Sequence, residues 1–124
     1  MKPACVLCFV LLALSSTSGE ARSITEIVDE TGDGGANQLN FPEGIALDAM
    51  GNVYITGGGS DNAFKITPAG SITLIIDQNG DGAGNILAYP QGIAVDRVGN
   101  VYVAGFSSSN AFKITPGGVI TDDH

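Results

Sequence analysis

The chain is one 48-residue unit written twice. Ile24 to Ser71 reads ITEIVDETGDGGANQLNFPEGIALDAMGNVYITGGGSDNAFKITPAGS, and Ile72 to Val119 reads ITLIIDQNGDGAGNILAYPQGIAVDRVGNVYVAGFSSSNAFKITPGGV. They align without a gap, and 28 of the 48 aligned positions are identical, so both copies must fold alike. Only an N-terminal apolar segment and a short tail, Ile120 to His124, lie outside the repeat. Units of about 40–50 residues are supersecondary modules that cover one another's apolar faces, either as solenoid turns or as blades.

Alternation inside the unit decides between these. Ile45 and Leu47 alternate with Ala46 and Asp48, Val53 to Thr56 is β-branched and aromatic, Ala63 to Thr67 alternates again, and Ser71 to Ile76 is another β-rich run. No stretch after the N-terminal segment places apolar residues at helical spacing. The first unit therefore predicts strands at 43–48, 53–57, 62–67 and 71–77, and the second at 91–96, 101–105 and 110–115. Asp48-Ala-Met-Gly-Asn52 and Asp96-Arg-Val-Gly-Asn100 suit a type I turn followed by a left-handed glycine. Thr67-Pro-Ala-Gly70 and Thr115-Pro-Gly-Gly118 put proline where φ is about −65° and glycine where φ turns positive. Both are tight hairpin connections. The expected fold is all-β: two four-stranded antiparallel blades of a β-propeller.

The string P-x-G-I-A-[LV]-D-x-x-G-N-V-Y-[IV]-[AT]-G, followed by N-A-F-K-I-T-P-x-G, resembles the NHL repeat. It is also similar to repeats of the six-bladed propeller group that holds gluconolactonase-like and strictosidine-synthase-like proteins. The resemblance runs from Ile24 to Thr121 and implies two repeats, 24–71 and 72–119, of a ring that closes with about six blades. One departure stands out. The common family form ends the second strand in Ala-Asp, followed by Asn and a basic residue; here Thr56-Gly57 and Ala104-Gly105 take that place, without the acidic side chain.

Two blades do not close such a ring. Ile24–Glu30 aligns with Ile72–Gln78 and reads as an outer strand without its blade. The matching strand after Thr115 starts at Val119 and breaks into Asp122-Asp123-His124, so the last blade is expected to lack its outer strand. The chain then reads as a piece of a longer repeat array, as a two-blade monomer, or as a subunit whose other copies complete the ring. In the last case three copies give six blades, and Ile24–Glu30 of one copy pairs with 110–115 of another. Exposed β-branched edges favour such covering, and head-to-tail contacts must close or run on.

Charge narrows the partners. Five Lys and Arg face 13 Asp and Glu, for a net charge of −8, which argues against nucleic acid and against an anionic membrane surface. Lys2, the apolar run Ala4 to Leu14 and the small residues Ser15 to Gly19 form a signal-peptide pattern over 1–21, with cleavage after Gly19 or Ala21. That run is shorter than the roughly 20 residues needed to span a bilayer. Cys5 and Cys8 both lie inside it, so their CxxC spacing carries no redox or metal reading. The expected product is secreted or otherwise extracytoplasmic, with no membrane span after cleavage and no disulfide.

Candidate sites are few. Asp77-Gln-Asn-Gly-Asp-Gly82 matches the first half of a calcium loop, with Asp77, Asn79 and Asp81 as oxygen ligands, and Asp29 to Gly34 is a looser copy. The bidentate glutamate of an EF-hand would fall on Ala88 or Asn40, which removes that reading. A non-EF calcium loop and a glycine-rich link with Asp and Asn bonding the local backbone both remain. The gluconolactonase-like resemblance implies a divalent metal at the channel mouth, held by a glutamate just before a glycine. Glu43 matches that position, but Gln91 is neutral and no convincing Asn/Asp set accompanies it, so a solvated rim is the alternative. His124 is the only histidine, Ser107 to Ser109 has no base nearby in sequence, and Gly80 to Asn85 precedes no helix that would cradle phosphate. Asp48 and Asp96 are expected to bond turn amides, and the recurring Tyr54/Tyr102 and Phe64/Phe112 to pack between blades. The functional expectation is an exported module that binds a protein or carbohydrate ligand or scaffolds a partner, without a required cofactor. The alternative is a metal-dependent hydrolase or lyase of the gluconolactonase-like type.

Overall fold

The computed structural model describes residues 22–122. The leader reading over 1–21, with Cys5 and Cys8, and His124 lie outside the described residues. Eight strands form within them: β1 (Pro42–Leu47), β2 (Val53–Gly57), β3 (Asn62–Ile66), β4 (Ile72–Ile76), β5 (Pro90–Val95), β6 (Val101–Gly105), β7 (Asn110–Ile114) and β8 (Ile120–Asp122). They pair as two antiparallel meanders in the orders β1-β2-β3-β4 and β5-β6-β7-β8. These are two β-propeller blades, and β1 and β5 run side by side at their inner edge.

The turns form for the reasons their residues suggest. Gly51 and Gly99 have φ of 88° and 93°, and Gly70 and Gly118 have 93° and 89°. Each closes its hairpin by donating its amide to the carbonyl of Asp48, Asp96, Thr67 or Thr115.

Register then divides each blade into two unlike faces. Ile45, Ile55, Phe64 and Leu74 stand in one cross-strand row, with Leu47, Val53, Ile66 and Ile72 in the next row of the same face. The opposite face carries Ala46, Tyr54, Lys65 and Thr73. Strand periodicity of two makes this separation automatic. The tyrosine face of the first blade packs on the aliphatic face of the second. Tyr54, Ala63 and Ile76 meet Val101, Val103, Phe112 and Ile114 in one buried cluster. Phe64 and Phe112 are fully buried, but only Phe112 packs between blades as expected; Phe64 lies outside that cluster, beside Gly32 of the link that precedes β1.

The link from β4 to β5 folds over the blade it enters. Leu87 is buried and donates its amide to the Gln78 carbonyl, and Asn110 Nδ2 reaches the Ile86 carbonyl at 3.0 Å. Gly80, at φ 60°, lies against the Phe112 ring; a Cβ there would strike the Asn85 carbonyl and come within 2.8 Å of the ring.

Two expectations need correction. The second blade does have an outer strand: β8 pairs Ile120, Thr121 and Asp122 with Ile114, Lys113 and Phe112. Three residues suffice because Ile120 and Thr121 alternate as Ile72 and Thr73 do. Conversely, 24–29 forms no strand although its sequence matches β4. β4 owes its ladder to β3, whereas 26–29 pass near Ile72 at the outer edge of β4 without joining its ladder.

Gly82, at φ 73°, has open space where a Cβ would stand. Gly82→Ala is therefore expected to cost only the left-handed backbone penalty, about 1–2 kcal/mol. Gly80→Ala adds a backbone clash and is expected to lose about 2–4 kcal/mol. Urea unfolding of both variants checks this, and equal losses would contradict the packing of the link on Phe112.

Candidate functional site

The repeated carboxylates serve the turns. Asp48 Oδ1 accepts the amides of Met50 and Asn52 at 3.0 and 2.9 Å, and Oδ2 accepts Asn52 Nδ2 and the Tyr54 hydroxyl at 2.8 and 2.9 Å. Asp96 repeats the arrangement with Val98, Asn100 and Tyr102. The Asn52 side-chain bond, with help from the local amides and Tyr54, lowers the Asp48 pKa to about 2. The same bond from Asn100 lowers Asp96. Burial, reinforced by the Asp48 charge, pushes Tyr54 up to about 12. These aspartates hold turns, as their sequence context suggests.

The calcium-loop residues follow the same logic. Asp81 Oδ1 accepts the amides of Ala83 and Asn85 at 2.9 and 3.2 Å, and Oδ2 accepts Asn85 Nδ2 at 2.7 Å. Asp77 Oδ1 accepts the amide of Asn79 at 3.0 Å. The Asn85 side chain holds the Asp81 carboxyl below the usual aspartate range, and Asn37 does so for Asp33 in the first copy. Asp77 lies beside Asn37, Ser60 and Asn62, whereas Glu43 on β1 meets Tyr89. Among the described residues no three Asp, Glu, His or Cys side chains gather as a metal-holding group. Asp77 Oδ1 and both carboxylate oxygens of Asp81 thus accept bonds from their own loop.

One end of the blades carries a different set of groups. There the β2–β3 turn, the start of β1 and the β4–β5 link converge. Tyr89 donates its hydroxyl to Glu43 Oε2 at 2.9 Å, and its amide to Asp61 Oδ1 at 2.7 Å. The Glu43 carboxylate raises the Tyr89 pKa. Phe106 stands edge-on to Tyr89, with ring centroids 6.4 Å apart. A side chain at Gly58 would meet both Glu43 and the Tyr89 ring, so glycine leaves room for the pair. Phe41 and Phe106 are 71% and 68% exposed. Phe41 and Tyr89 hold φ of 51° and 50°, a left-handed conformation that is costly for aromatic residues and collects at functional positions.

Sequence reasoning found Glu43 here but missed Tyr89, Phe106, Phe41 and Asp61. The signal was available: Phe41/Tyr89, Glu43/Gln91, Gly58/Phe106 and Asp61/Ser109 are all positions where the two units differ.

Comparison with known proteins agrees with this architecture. A family described as beta-propeller repeat matches residues 72–113. No curated protein matches the chain. Among solved structures, virginiamycin B lyase from Staphylococcus aureus is similar at 20% identity and a TM-score of 0.53, covering 68% of this chain and 27% of that one. A streptogramin B lyase structure is similar at 22% identity and a TM-score of 0.54, covering 65% and 25%. A catalytically inactive form of the Staphylococcus aureus enzyme with quinupristin gives 20% identity and a TM-score of 0.54. The chain spans about a quarter of the length of these neighbours. At such identities the likeness is one of fold: this chain carries β-propeller repeats.

Acid titration tests the turn assignment. The Asp48 pKa falls from 3.8 to about 2 on folding. Its stabilisation is therefore present above pH 3.8 and is lost as pH falls through about 2. Asp48→Asn is expected to lower stability at neutral pH and to flatten the decline across that window. A urea-midpoint profile against pH reads this out, and a variant profile parallel to the parent would contradict it.

Proposed function

We propose that the chain is an exported β-propeller module, NHL-like in its repeats, that binds a protein or carbohydrate ligand or scaffolds a partner through the loop end of its blades. One observation carries this reading: Phe41/Tyr89, Glu43/Gln91, Gly58/Phe106 and Asp61/Ser109, which differ between the units, meet at one end and leave aromatic rings exposed there, whereas the positions that differ at the other end, such as Met50/Val98 and Ser71/Val119, bring no aromatic ring. Asp48, Asn52, Phe64 and Leu39 have counterparts that do the same work in the second unit. Phe41, Tyr89 and Phe106 instead form an uneven aromatic surface beside the Glu43 carboxylate. Loops on a rigid scaffold are where binding specificity resides. Flat rings next to a hydrogen-bonding group suit the apolar faces of sugars or peptide side chains. The leader pattern over 1–21 supports export.

A second reading assigns Glu43 as the ligand of a divalent metal in a hydrolase or lyase of the gluconolactonase-like type. It is favoured by the place of Glu43 at the start of an inner strand, next to Gly44.

Glycan and peptide arrays probed with the chain discriminate the two. Binding is expected to weaken about tenfold, or 1.4 kcal/mol, in Phe106→Ala. Stability should stay unchanged because that ring is exposed. Lactone turnover that needs a divalent cation and disappears in Glu43→Gln would favour the second reading instead.

A further inference from the structure

The two blades have nearly the same sequence but not the same burial, and the difference follows a pattern. On the tyrosine face of the first blade, Tyr54, Thr56 and Ala63 are buried beneath the second blade. Their counterparts Tyr102 and Ala111 are half-buried, and Ala104 is exposed. On the aliphatic face the asymmetry reverses. Ile93 and Val95 of the second blade pack against the shared core, while Ile45 and Leu47 of the first are 61% and 66% exposed. The open faces are thus the two halves of the interface that the chain already makes internally.

A glycine repeats the same point. Gly44 lets the second blade approach closely: a Cβ there would strike the Gln91 carbonyl and come within 3.2 Å of Ile93. Gly92 presents the same bare backbone, yet a Cβ on it would meet only Ala104, at 3.6 Å.

The polar groups agree. The internal interface satisfies two acids, as Glu43 accepts the Tyr89 hydroxyl and Asp61 accepts the Tyr89 amide. On the open face of the second blade those acids are replaced by Gln91 and Ser109, and the residue matching Tyr89 at the other open face is Phe41, which has no hydroxyl. Docking the two open faces would bury no carboxylate without its donor, which is the costly event at an interface.

We propose that the open tyrosine face of the second blade docks the inner aliphatic face of the first blade of another copy of this chain. The contact is head-to-tail, so it closes into a ring or runs on. It works through faces and not by strand exchange, because β8 already occupies the outer edge of β7. The outer half of the aliphatic face, at Phe64 and Ile66, is likewise already covered. Ile45 and Leu47 are what the second copy buries.

The test uses the full chain from a host that exports it, with mass read by light scattering and sedimentation. Leu47→Glu spoils one face and Ala104→Arg the other, and both side chains are exposed in the single chain. Circular dichroism checks the fold, and Ile45→Glu and Ala94→Arg replace either variant that fails to fold. The parent chain is expected to assemble at micromolar concentration, and each variant alone to remain monomeric. An equimolar mixture of the two should form dimers with one of each, because every such pair retains one intact interface. A folded parent that stays monomeric, an assembly that survives both substitutions, or a mixture that yields no dimers would each overturn the proposal.

Discussion

A β-sheet of four short strands cannot bury both its faces alone, and that constraint governs this chain. Its answer is the stacking of the tyrosine face of one blade on the aliphatic face of the next. Phe112, Val103 and Ile114 are interior only because Tyr54, Ala63 and Ile76 stand over them. Burying such side chains contributes about 1.5–3 kcal/mol each. That cluster therefore belongs to the pair of blades, while Leu39, Phe64 and Ile66 are buried outside it in the first blade. The link from β4 to β5 completes the cluster, with Leu87 closing the loop end and Gly80 yielding space to the Phe112 ring.

This dependence explains the division between residues that recur and residues that do not. Asp48 and Asp96 fix one set of turns and Asp33 and Asp81 another, each through the amide and side chain of an asparagine four residues on. A blade that loses this bracket loses the hairpin geometry that aims its faces. Phe41, Phe106 and the Glu43–Tyr89 pair carry no such duty in both blades. They are free to differ, and they lie together at one end of the blades.

Most of the fold was legible in the sequence because its signals are local. Alternation around Ile45 and Leu47, the glycine after each Asp-containing turn, and proline after Thr67 and Thr115 all act within a few residues. The outer edges were harder. Ile24–Glu30 has the sequence of a strand but no partner, and Ile120–Asp122 forms one from a fragment because β7 offers an edge. Strand formation there depends on tertiary neighbours, which pattern alone does not report. The same holds for the candidate site. The Asp77–Gly82 motif shows the types of its oxygens, but the bonds that Asn79, Ala83 and Asn85 give to Asp77 Oδ1 and to Asp81 appear only in the folded loop. Tyr89 was missed because its role arises between blades, from residues 46 and 28 positions away in sequence.

Native-state hydrogen exchange under rising denaturant tests most directly whether the blades share one core. The account predicts that the amides of β2 and β3 and those of β6 and β7 converge on a single unfolding isotherm, since Tyr54 and Ala63 share one buried cluster with Val101, Val103, Phe112 and Ile114. Two separate isotherms, with one blade keeping its protection after the other has opened, would contradict it.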